Sequence, residues 1–131
     1  MDNYFLKVKE YVTELDYDIL HEDEEDGVLV VGSEEDGISN AVLGVADPLL
    51  IMEQSLVELS DTSRETYLHL LQKNRDIVHG AFVIDETGTR VIFRDTLQLE
   101  NLDLNELEAS FNSLSLLLSE YSDELIEISK K

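Results

Sequence analysis

Between residues 104 and 128, the apolar side chains Leu104, Leu107, Phe111, Leu114, Leu118, Tyr121, Leu125 and Ile128 recur in alternating steps of three and four. That spacing puts one stripe of a long helix against a single apolar surface. Leu117 widens the stripe. A wide stripe suits packing on a sheet better than the narrow seam of a coiled coil. Asp103, with Glu106 three residues on, reads as the capping box that starts this helix. Leu116 and Ile126 fall outside the stripe and are expected on the surface.

The rest of the chain supplies the platform. Tyr4, Phe5, Val8, Tyr11, Val12 and Leu15 line one face of a helix over residues 3–15. Residues 17–20 start or precede a strand. The acidic run 21–26 follows, closed by Gly27. Strands are predicted over 28–31, 38–46 and 49–59, with Asp47-Pro48 as the turn between the last two. Thr62 and Glu65 read as a capping box for a second helix that runs to about Ile77. Tyr67, Leu68, Leu71, Arg75 and Val78 are expected on its inner face, with Asn74 beside them. Residues 80–84 and 89–93 form a hairpin around the turn 85–88. The order is α-β-β-β-α-β-β-α. Strands grouped with strands argue for an α+β fold with a mainly antiparallel five-stranded sheet packed by helices. Residues 1–131 are read as a single domain, since nothing in the sequence resembles a linker or an internal repeat.

Charge is the strongest global signal. Thirty Asp and Glu stand against nine Lys and Arg, a formal net charge of −21. Such a surface repels phosphates and anionic lipid, so neither nucleic acid nor membrane is an expected partner. It favours basic partners and also keeps a protein soluble. The N-terminal residues lack the apolar core of a signal peptide, and a cytoplasmic location is expected.

Motifs for chemistry are missing. The absence of cysteine removes a disulfide scaffold, a thiolate zinc site and a cysteine nucleophile together. The stretch Glu22 to Gly27 begins like a calcium loop. Ser33, however, stands where a bidentate glutamate belongs, and residues 28–31 read as a strand rather than an exiting helix. His21, His69 and His79 are far apart and lie in different elements. There is no G-x-S-x-G elbow and no phosphate-binding glycine motif. The expectation is no cofactor, no metal and no enzyme. Arg64, Lys73, Arg75, Arg90 and Arg94 hold most of the basic charge, either as one local face or paired with neighbouring acids.

Taken together, Val8-Lys9-Glu10-Tyr11-Val12 before Leu15-Asp16-Tyr17, then Leu70-Leu71-Gln72-Lys73-Asn74, then Gly80-Ala81-Phe82-Val83-Ile84-Asp85, and the leucine-rich helix after Leu102-Asp103-Leu104 carry a resemblance. Over nearly its whole length the chain resembles the YbjN-like domain family, bacterial proteins related in fold to class I type III secretion chaperones. The resemblance implies an acidic, non-enzymatic, often dimeric protein. It points to a homodimer that binds a protein partner, a secreted effector or a signalling protein, through an extended or amphipathic segment. The alternatives are a signalling regulator of the YbjN-like type and, from another class, a small enzyme or metal-binding protein. Leu50, Met52, Leu56 and Val57 of the third strand, with Leu116 and Ile126, are the expected apolar contacts on the surface. The competing reading for each is core.

Overall fold

The computed structural model describes residues 3–130. Residues 1, 2 and 131 of the expected domain lie outside the described residues. The elements run α1 (Tyr4–Glu14), β1 (Asp18–Asp23), β2 (Val28–Ser33), β3 (Ile38–Ala46), β4 (Leu49–Glu58), α2 (Arg64–Lys73), β5 (Ala81–Ile84), β6 (Arg90–Gln98) and α3 (Leu104–Lys130). A single 3-10 turn, Asn74–Asp76, follows α2.

Six strands form one sheet in the order β1-β2-β3-β4-β6-β5, and each pairs antiparallel with its neighbours. The α+β class and the antiparallel sheet are as expected, but there is one strand more than the expected five. The additional strand is β1, which runs from the residues read as starting or preceding a strand into the first half of the acidic run, residues 21–23. It is an edge strand with mostly exposed side chains, so no apolar alternation announces it. Gly27, at φ +71°, closes the turn into β2.

The core lies on one face of the sheet. Leu29, Val31, Ala41, Leu43, Leu50, Met52, Val91 and Phe93 point into it from the strands. The α3 stripe meets them through Leu107, Phe111, Leu114, Leu117 and Leu125, and α1 adds Phe5, Val8 and Val12. The rings of Tyr17 and Phe111 pack with centroids 4.4 Å apart. One polar group sits within the stripe. Ser110 is fully buried and donates its hydroxyl proton to Asp95 of β6, so its burial leaves no bond unmade.

The α3 cap forms as expected, with the Glu106 amide donating to the Asp103 carboxylate at 2.8 Å. The α2 cap lies one residue later than expected. Ser63 is the N-cap, accepting from the Thr66 amide, and Asp61 accepts from the Ser63 amide and the Thr66 hydroxyl. The inner face of α2 is also different. Thr66 and Leu70 are buried and Tyr67 is half-buried, whereas Leu68, Leu71 and Val78 are exposed. The helix ends at Lys73, so Val78 is not on it. Apolar residues on both flanks of this short helix leave its periodicity without a single solution, and packing beside Phe82 of β5 and Tyr121 and Leu125 of α3 selects Leu70.

Candidate functional site

The second face of the sheet follows from strand alternation. Val30 lies between buried Leu29 and Val31, Val42 between Ala41 and Leu43, Ile51 between Leu50 and Met52, and Ile92 between Val91 and Phe93. Each therefore points away from the core. Registers align Val30, Val42, Glu53, Arg94 and Ala81 in one row across five strands, and Val28, Gly44, Ile51 and Thr96 in the next. Leu20 extends the surface at the β1 edge. It leans over Gly32, where a Cβ would come within 3.2 Å of its Cδ1. Leu20 is 54% exposed, and Val42 and Leu49 are exposed too. This face thus presents apolar side chains from β1 to β4 with solvent over them.

Its other half is charged. Arg94 pairs with Glu53 at 2.8 Å, and Arg90 bonds the Ser55 hydroxyl at 2.8 Å and the Glu58 carboxylate. With Lys73 bound to Glu124 at 2.6 Å, three of the five cations expected as a local basic face are paired with acids.

The two sheet edges are unlike. The outer edge of β5 is covered by the side-chain amide of Asn74, which bonds the backbone of Phe82. Among the described residues the opposite edge strand, β1, pairs with β2 alone. An edge of this kind can accept a further strand.

Four of the expected contact residues are not on an open surface. Leu50 and Met52 are fully buried, and Leu56 and Val57 are half-buried against the core. The reason is strand order. β4 lies between β3 and β6 at the centre of the sheet, with its inward residues beneath α3. Leu116 and Ile126 are exposed on α3, as the stripe requires. Leu116 borders a cleft of about 280 Å³ between α3 and the chain around Val78. Sequence reasoning missed Leu20, Val42 and Leu49. The alternation in β3 and β4 signals that alternate residues face away, but not that this face lacks a covering helix.

Two carboxylates are held below their ordinary range. The Thr87 hydroxyl does this for Asp85 in the β5–β6 turn, and Lys73, with smaller help from His69, for Glu124. Both belong to a turn or a clamp between helices. Among the described residues no helix is long and apolar enough to cross a membrane.

Residues 1–131 match the CesT_Tir_1 family over the whole length. The chain belongs to that family. No curated protein sequence matches it. Solved structures share the CesT_Tir_1 chain's fold. YbjN from E. coli superposes with a TM-score of 0.70 at 11% identity, covering 92% of this chain and 92% of that one. A chain of the ExsC-ExsE complex superposes at 0.67 with 19% identity, covering 95% and 97%. A chain of the Yersinia pestis complex of the type III secretion chaperone SycH with a stable fragment of YscM2 superposes at 0.61 with 17% identity, covering 96% and 99%. At such identities the likeness is one of fold. Both groups that the sequence resembles, YbjN and the secretion chaperones, have it.

Proposed function

We propose that this CesT_Tir_1 protein is a chaperone-like, non-enzymatic binding protein, which takes an extended or amphipathic segment of a partner protein across the uncovered face of its sheet. One observation carries the reading: the apolar residues Leu20, Val28, Val30, Val42, Leu49 and Ile51 share the face turned away from the core, and Leu20, Val42 and Leu49 are exposed on it. Exposed apolar side chains grouped on one face of a strongly acidic chain serve association better than solubility. The neighbouring β1 edge offers main-chain groups to an extended segment, and the pleat spaces side-chain contacts two residues apart. Complexes with this fold, ExsC-ExsE and SycH with a fragment of YscM2, support a protein as the ligand.

The reading includes a cytoplasmic homodimer, with exposed Leu68 and Leu71 of α2 available for self-association. The partner is either a secreted effector or a signalling protein.

The test is capture from native extract with tagged wild-type protein and a Leu20→Ser/Val42→Ser variant as parallel baits. Bound proteins are identified by mass spectrometry and bait mass by light scattering. The expected result is one stoichiometric partner, held by wild-type dimers and lost by the variant, whose circular dichroism is unchanged. A partner held equally by both baits overturns the assignment to this face. A monomeric bait with no partner overturns the chaperone-like reading itself.

A further inference from the structure

On the opposite, helical side of the molecule a second surface has a different chemistry. Val78 is 86% exposed and Leu116 is 57% exposed, and both line the 280 Å³ cleft between residues 76–79 and α3. Ile77, Leu117 and Tyr121 form its floor and walls. The two sides of the cleft are tied together. The Ser113 hydroxyl of α3 donates to the His79 carbonyl at 2.6 Å, and Gly80, at φ +82°, turns the chain tightly against Phe93. Its volume is at the low end for a ligand pocket, which suits an inserted side chain rather than a whole small molecule.

Leu116 also borders a second, wider cleft of about 740 Å³ between α3 and the β2–β3 turn. The side chain therefore stands as a ridge with a cleft on each side. Glu34, Glu35 and Asp36 rim the wide cleft, and Asp76 and Glu120 rim the narrow one. Neither Lys nor Arg lines either cleft among the described residues. His79, Asn112 and several serines complete the lining, so the full charges on the rims are carboxylates, and apolar tips among carboxylates are not self-complementary. A second copy of a chain with charge −21 would bring more carboxylates to the same place.

We propose that this double cleft is a docking site, separate from the sheet face, for a short protein segment whose apolar side chains alternate with lysine or arginine. The apolar side chains fill the cleft between Val78 and Leu116, and the cations reach the carboxylates on both rims. Apolar contact supplies the affinity, and the rim supplies the sign selection and a dependence on salt.

The test is fluorescence anisotropy with three labelled peptides of equal length, alternating leucine–lysine, leucine–glutamate and serine–lysine. Proteins are the full chain, Val78→Ser, Leu116→Ser and the sheet-face variant Leu20→Ser/Val42→Ser. Only the leucine–lysine peptide is expected to bind saturably, more weakly as salt is raised. Each cleft substitution should weaken it about tenfold, the effect of leaving one large apolar contact unmade. The sheet-face variant should bind as wild type does. Both cleft positions are exposed, so the variants remain folded, which a thermal melt checks. Equal binding of the serine–lysine peptide, or affinity that survives both cleft substitutions, overturns the proposal. If that surviving affinity is lost in the sheet-face variant, the preceding proposal stands and this one falls.

Discussion

The side-chain amide of Asn74 pairs with both backbone groups of Phe82. The Phe82 amide donates to Asn74 Oδ1 at 2.8 Å, and Asn74 Nδ2 donates to the Phe82 carbonyl at 3.2 Å. One residue after α2 thus acts as a further strand, one residue long, at the edge of β5. It satisfies groups that would otherwise template another chain. Asn74→Ala is expected to lower stability by about 2 kcal/mol, the cost of leaving partly buried backbone groups unpaired. Urea denaturation checks this, and an unchanged midpoint would remove the edge-closing role.

Two glycines with similar positive φ should respond differently to alanine. At Gly80 a Cβ would lie 2.5 Å from Cζ of Phe93, a ring with no exposed surface and no room to move. At Gly37, φ +72°, nothing lies within 4 Å. Gly37→Ala should cost about 1 kcal/mol from backbone conformation alone. Gly80→Ala adds an overpacking cost and should reach about 3 kcal/mol. Paired denaturation curves test the ranking, and equal losses would refute the contact argument.

Alkaline stability should report on Tyr17. Burial, and then the Asp36 carboxylate that accepts its hydroxyl bond at 3.1 Å, raise its phenol well above the ordinary value of 10.0. A group raised in the folded state contributes stability that is fully present below its unfolded value and is lost as pH climbs toward the folded one. Wild type should therefore exceed Tyr17→Phe in stability at pH 8 by a margin that shrinks above about pH 10. Denaturation midpoints of both proteins across that range decide it, and a constant margin would contradict the coupling.

The α2–α3 clamp should weaken in acid. Lys73 holds the Glu124 carboxyl below its ordinary range, His69 adds a bond at 3.1 Å, and the Lys73 ammonium also lies over the Tyr121 ring. A lowered carboxyl contributes stability that is present above its unfolded value and is lost as pH falls through the folded one. Glu124→Gln should be slightly less stable than wild type at neutral pH, and the difference should vanish as pH falls below the carboxylate range. A difference that persists in acid would point to packing rather than charge.

Much of this molecule is legible in local pattern. The three-and-four spacing from Leu104 to Ile128 appears as α3 with Leu107, Phe111, Leu114 and Leu125 buried, and with Leu116 and Ile126 left outside. Three of the four strands between the first two helices follow their β-branched runs and turns. β1 does not. As an edge strand with little buried side-chain surface it leaves only the short apolar signal at 19–20, which marked a strand start near 17–20 but not its run into the acidic residues, and it forms because β2 offers it backbone groups. Asp95 and Ser110 were equally silent, since a buried serine in a leucine stripe makes sense only once an acceptor faces it.

By itself, the sequence determined the element types, the antiparallel α+β class, the acidic field and the long helix that packs on a sheet. All of these depend on neighbours a few residues apart. Only the tertiary structure decided that β4 is central, that Leu50 and Met52 are therefore core, that α2 turns Leu70 rather than Leu71 inward, and that one sheet face is bare. Strand order and helix coverage bring together residues distant in sequence. The apolar alternation of a strand is the same whether its outer face meets a helix or water.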